Sequence, residues 1–157
     1  MSLGSAFPPG MRKENAEKNL RPGAVIRIYC DFTTPAKEKY LLVVCTSPLL
    51  AFMINSNQPK FVQFRPHLQA CQVLIESENH TFLDHDSWAH CVEVHETLDL
   101  EELIDLEQGD PSSIVKGHLT EERIKEIIIA SNQSPVLERR KKKIVTEALN
   151  QSLSEHY

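Results

Sequence analysis

Five of the seven histidines, His67, His80, His85, His90 and His95, fall in one acidic stretch of this 157-residue chain. With Asp84, Asp86 and Cys91, the run HTFLDHDSWAHC supplies the donor types that bind transition metals. The spacing argues against that use. There is no HxH, HExxH or paired CxxC, and a strand through His90 and His95 would aim them at opposite faces. No metal ligand is therefore assigned. Cys91 and His90 could act as thiolate and base only on one face, and strand neighbours face opposite sides. Asp86 and Ser87 suit a turn that enters a strand, with Asp84 and His85 in a solvated loop. A second concentration of charge is RRKKK, Arg139 to Lys143, which can meet RNA, an acidic partner or only water. Lys37 and Lys39 flank a polar loop, and Ser56 stands between Asn55 and Asn57. By residue type alone these read as solvated cations and turn formers.

Three strand-like runs must position whatever these groups do. Ala24–Cys30 is β-branched and aromatic and follows the turn pair Pro22-Gly23. Tyr40–Cys45, YLLVVC, is continuously apolar, as in a strand covered on both faces. Leu49–Ile54 follows Ser47-Pro48 and closes on Asn55-Ser56-Asn57, so the last two runs read as a hairpin. Thr33–Lys39, with Pro35, reads as a loop over a binding face. Shorter strands are expected at Phe61–Phe64, Cys71–Ile75 and Ser112–Lys116. Another is expected at Ser87–Val94, with Trp88, His90, Val92 and Val94 on one side. Leu98–Leu106 suits a short acidic helix stopped by Gly109-Asp110-Pro111. Thr120 is a helix N-cap for EERIKEIIIAS, whose Ile124, Ile127 and Ile128 form a docking stripe. Ser134-Pro135 restarts a helix. Lys141 interrupts the apolar face of that helix, so firm packing is expected only in its second half. The fold predicted is mainly β, a small barrel with two C-terminal helices.

Composition bounds the function. The length suits one domain with a helical appendage and a core that needs no disulfide. Cys30, Cys45, Cys71 and Cys91 are widely spaced inside apolar runs, which fits buried reduced thiols and a cytoplasmic setting. No apolar stretch approaches the roughly 20 residues of a membrane span, no signal-peptide pattern is present, and no membrane partner is expected. Residues 1–20 are expected to be an appended or disordered leader, 21–132 the barrel with its first helix, and 133–157 the extra helix. The net charge of −5 is unevenly spread. Residues 1–65 hold nine Lys/Arg and four Asp/Glu, 66–115 hold twelve Asp/Glu and no Lys or Arg, and 116–157 hold eight and six. A polyanion would be repelled by the middle segment, so a nucleic-acid face must come from the first third or the last helix.

The order of these elements resembles one family. RPGAVIRIYCDF, KYLLVVCTS, FMINSN, HDSWAHC and VKGHLTEERIKEII together are similar to the MazF/PemK growth-arrest toxins of toxin–antitoxin pairs. The resemblance spans about Arg21 to Asn132. It implies an SH3-like barrel, a homodimer, an antitoxin or other protein partner, single-stranded RNA as substrate, and endoribonuclease activity with no metal and no cofactor. Family members carry an Arg, commonly Arg-Pro, ahead of the second strand and a Thr or Ser ending the third. By that resemblance Ser56 takes the hydroxyl position and Lys39, followed by Tyr40, takes that of the arginine. Lys39 and Ser56 are then the catalytic residues, and Lys37, Arg27, Asn55 and Asn57 the substrate-binding ones. A cation would stabilise the charged phosphorane-like transition state while a hydroxyl helps activate the ribose 2′-oxygen. Lysine supplies charge without a planar fork, which implies altered or lost cleavage. The alternative expectation is a catalytically silent barrel that binds protein or RNA on the same face.

Overall fold

The computed structural model describes residues 9–157. The three adjacent apolar runs become β1 (Ala24–Cys30), β2 (Lys37–Thr46) and β3 (Leu49–Asn55). With β4 (Gln72–Ile75), β5 (Ser87–His95) and β6 (Val115–His118) they form one six-stranded antiparallel sheet, ordered β4-β5-β3-β2-β1-β6. The helices are α1 (Pro9–Asn19), α2 (Lys60–Gln63), α3 (Pro66–Gln69), α4 (Leu100–Gly109), α5 (Glu121–Asn132) and α6 (Arg139–His156). Register shifts in the β1–β6, β2–β3 and β3–β5 ladders curl the sheet into a half-barrel. The curl brings its two ends toward one helix: α5 packs on β4 and β5, while its Ile124 lies under Gly23 at the entry to β1. Gly23 holds φ +101°, and a Cβ there would stand 2.9 Å from the Ile124 side chain.

Strand alternation divides the core in two. Val25, Leu42, Val44, Phe52 and Ile54 face a cluster completed by Ile124, Ile127, Val145 and Leu149 of α5 and α6. Ile26, Ile28, Leu41, Val43, Ala51 and Met53 face the other side, against Ala16, Leu20, Leu103 and Ile104. This explains why YLLVVC is apolar throughout: both faces of β2 are covered. The β core with two C-terminal helices agrees with the sequence expectation. All four cysteines are buried free thiols. No helix among the described residues is long and apolar enough to cross a membrane.

Several local expectations are corrected. Residues 9–19 form a helix that buries Ala16, with Leu20 buried in the turn just after it, where an irregular leader was expected; residues 1–8 lie outside the described residues. Phe61–Phe64 is not a strand. Between Pro59 and Pro66 the chain takes the helical turn α2, which turns only Val62 inward. The expected loop Thr33–Lys39 ends earlier, because Lys37 and Lys39 pair with Cys30 and Ile28 across β2–β1. The last strand begins at Val115, three residues later than expected from Ser112. The final helix starts at Arg139, not after Ser134-Pro135. Ser134 Oγ does accept the Val136 and Leu137 N–H groups, but it also donates to the Val92 carbonyl at 2.5 Å. That tie fixes a tight turn against β5 before the helix begins.

The alternation expected along β5 also breaks. Met53 faces His90, yet Ala51, two residues along, faces His95. This bulge moves Val92 and Val94 into the core cluster that holds Ala89 and Cys91. It also brings His90 and His95 to one face rather than two.

Candidate nucleic-acid interface

The register assembles a row of side chains across five strands. Ile28 faces Lys39, Asn55 faces Trp88, and Trp88 faces Leu74. Lys39 closes the row by donating from Nζ to Asn55 Oδ1 at 3.1 Å. A parallel row, Met53–His90–Gln72, runs beside it on the same face. Lys39, Asn55 and Trp88 are half-buried, so the row is open to a ligand at its centre.

Burial pushes the Lys39 ammonium below the ordinary lysine value of 10.5; the nearby Lys37 adds to this and Cys30 opposes it. An ammonium so held is poorly solvated, which favours a phosphate oxygen as partner. The Cys30 thiol shifts upward through burial, offset by Lys39 and reinforced by Asp31. Cys91 is raised well above its usual value by burial, so neither of these two thiols is a poised thiolate.

The aromatic and histidine neighbours extend the surface. Phe32 tilts over His95 with ring centres 5.0 Å apart, and Phe61 meets His90 edge-on at 6.1 Å. His90 Nδ1 accepts from Gln72 Nε2 at 2.8 Å, while Gln72 Oε1 is buried with no partner among the described residues. Burial lowers the pKa of His90, with Glu93 opposing and His95 adding, so the ring is neutral when that bond forms. No group of three or more metal-type donors occurs among the described residues.

The residues singled out from sequence do not all meet. Lys39 and Asn55 are brought together, and Lys37 lies two residues back along the same face of β2. Arg27 lies on the opposite face of the sheet, in an ion pair with Glu38 at 3.2 Å and 5.6 Å over the Tyr40 ring. Ser56 and Asn57 lie just past the end of β3 and are exposed. No hydrogen bond joins Ser56 to Lys39 among the described residues. Arg139 to Lys143 fall in the first turns of α6, where Lys141 binds Glu96 at 2.8 Å. Sequence reasoning did not connect Trp88 with Asn55, because pairing between β3 and β5 spans a long intervening segment. It also missed Phe61 and Phe64 as a pair. Their spacing of three, which suits one face of a helical turn, was the available signal.

No known family profile matches the chain, and no curated protein matches it.

Proposed function

We propose that this protein is a divergent MazF/PemK-like barrel that engages single-stranded RNA across the Lys39–Asn55–Trp88 row and cleaves it without a metal. The observation that carries this reading is the half-buried Lys39 ammonium fixed to Asn55 beside a half-buried tryptophan. A cation with a depressed pKa meets a phosphate, an amide offers donors and an acceptor, and an indole face stacks on a base. In the cleavage step the ribose 2′-oxygen attacks the adjacent phosphorus and the bond to the 5′-oxygen breaks. The 2′-proton leaves as a proton reaches the departing 5′-oxygen, giving a 2′,3′-cyclic phosphate and a 5′-hydroxyl. Lys39 would stabilise the charge that builds on the phosphoryl oxygens. Ser56, next to Asn55, would approach the 2′-oxygen once RNA is seated. An SH3-like arrangement of the half-barrel, a homodimer, an antitoxin-type partner and a cytoplasmic setting belong to the same reading.

The second reading is an RNA- or protein-binding barrel that does not cleave. The absence of a hydrogen bond between Ser56 and Lys39 favours it. Incubation of a mixed single-stranded RNA pool in excess EDTA, followed by mapping of the fragment ends, separates the two. Cleavage that falls at least tenfold in Ser56→Ala and Lys39→Gln supports the enzyme, as does growth arrest relieved by Ser56→Ala. Intact RNA with retained binding leaves the silent barrel, and no affinity for RNA overturns the RNA reading altogether.

A further inference from the structure

Phe64 is 84% exposed and Phe61 51% exposed, on a short helical turn beside the candidate interface. Large aromatic side chains left in water forgo the burial that ordinarily stabilises them, and two exposed within three residues of each other mark a contact surface. Their spacing of three, with Arg65 next, puts them on one side of the turn that begins at Lys60. The Arg65 guanidinium donates to the Phe61 carbonyl at 2.7 Å, which anchors an exposed cation beside the Phe61 backbone. Phe61 also reaches His90 edge-on, so its ring meets the face that carries Lys39, Asn55 and Trp88, while Val62 of the same turn packs into the cluster on the other face.

Charge selects the occupant. From Lys39 to Ile75 the chain has no Asp or Glu, while Lys60 and Arg65 flank the two rings. Exposed rings flanked by cations complement a polyanion with flat faces, while Glu93 of β5 acts on the neighbouring His90 and His95. The geometry points to Phe61 and Phe64 as a base-stacking platform for single-stranded RNA, with Lys60 and Arg65 contacting the adjoining phosphates. The platform would extend the track from the Lys39–Asn55–Trp88 row toward the β4 edge. It rests on the RNA reading above and deepens it by naming where further bases lie.

The test is fluorescence anisotropy with a 2′-O-methylated single-stranded RNA of about twelve nucleotides, a length that covers such a track and resists cleavage. Phe64→Ala should weaken binding about five- to 150-fold, the span of one base–aromatic stack, without moving the thermal midpoint. Phe64→Trp should keep affinity and Phe64→Leu should not, since only stacking needs a π-face. Arg65→Gln should reduce the slope of log affinity against log salt by about 0.7. Wild-type affinity in Phe64→Ala, with weakened binding in Lys39→Gln, overturns the platform and leaves the RNA reading standing. Wild-type protein that binds no RNA overturns both. A change in sedimentation on Phe64→Ala with RNA binding intact makes the patch a protein contact and also overturns the platform.

Discussion

Lys39 concentrates the electrostatic argument in one atom. Its folded pKa lies below 10.5 because burial disfavours the charged form, more than the nearby Cys30 favours it. Between the folded value and 10.5, the unfolded chain holds the proton that the folded protein has released. Stability from this group therefore rises with pH in that window. RNA affinity should move the opposite way, falling as the ammonium loses its charge. Parallel measurements of anisotropy and urea midpoint between neutrality and pH 10.5 should show the two trends diverging. Lys39→Gln should flatten both; trends that persist in that variant would assign them to other groups. The identity of Lys39 as a cation was legible in the sequence, but its partner was not. The resemblance couples Lys39 with Ser56 in catalysis and makes Asn55 a substrate contact; in the fold the lysine bonds Asn55, on the same face. Arg27 is displaced for a similar reason: alternation along β1 turns it to the other side of the sheet, toward Glu38 and Tyr40.

At the scale of elements, two side chains lock connections that propensity alone would leave loose. Ser134 ties the α5–α6 turn to β5 through the Val92 carbonyl, with its hydroxyl buried. Ser134→Ala removes that donor and the acceptor of two N–H groups, and should cost about 1–3 kcal/mol in chemical denaturation. Glu107 of α4, 2% exposed, accepts the Ser112 N–H at 2.7 Å and the Val115 N–H at 3.3 Å. It thereby fastens the helix to the start of β6. Glu107→Ala should cost a similar amount, about 1–3 kcal/mol, because two backbone donors lose their partner. A lowered urea midpoint at constant slope is the expected signature in both cases. Gly117 in β6 faces a different constraint, since a Cβ would stand 2.1 Å from the Phe82 ring. Gly117→Ala should expel that ring and destabilise by about 1–3 kcal/mol in the same assay. These elements were visible in outline from periodicity, but the contacts that end or join them were not. The serine at 134 carried a helix-start signal, and the carbonyl of a distant strand claimed its proton.

For the whole molecule, three histidines contribute to the loss of stability in acid. Burial lowers the pKa of His90, His95 and His118, with neighbouring Glu93 opposing for the first two and the Asn19 carbonyl opposing for the third. Below 6.5 the unfolded chain takes up protons at these sites before the folded protein does. Stability should therefore fall as pH drops from 6.5 toward the folded values. His90→Gln should reduce the slope of thermal midpoint against pH in that range; an unchanged slope would remove His90 from the account. The charge distribution acts at this scale as well. The acid-free span from Lys39 to Ile75 supplies Lys39 and Asn55 of the candidate RNA face, Trp88 comes from the acidic middle segment, and α4 with the β5–α4 connection carries much of the carboxylate excess.

The sequence by itself determined the local facts: three strands at Ala24–Cys30, Tyr40–Cys45 and Leu49–Ile54, the Thr120 cap, and the Ile124–Ile127 stripe. Each follows from side-chain pattern over a few neighbouring residues, where propensity and burial agree. Only the tertiary structure decided which residues share a face. Asn55 meets Trp88 through a pairing of distant strands, and one bulge in β5 reverses the expected sides of Val92 and Val94. Side chains along a strand alternate every residue, so a single register change reassigns all that follow, and no local window of sequence contains that information.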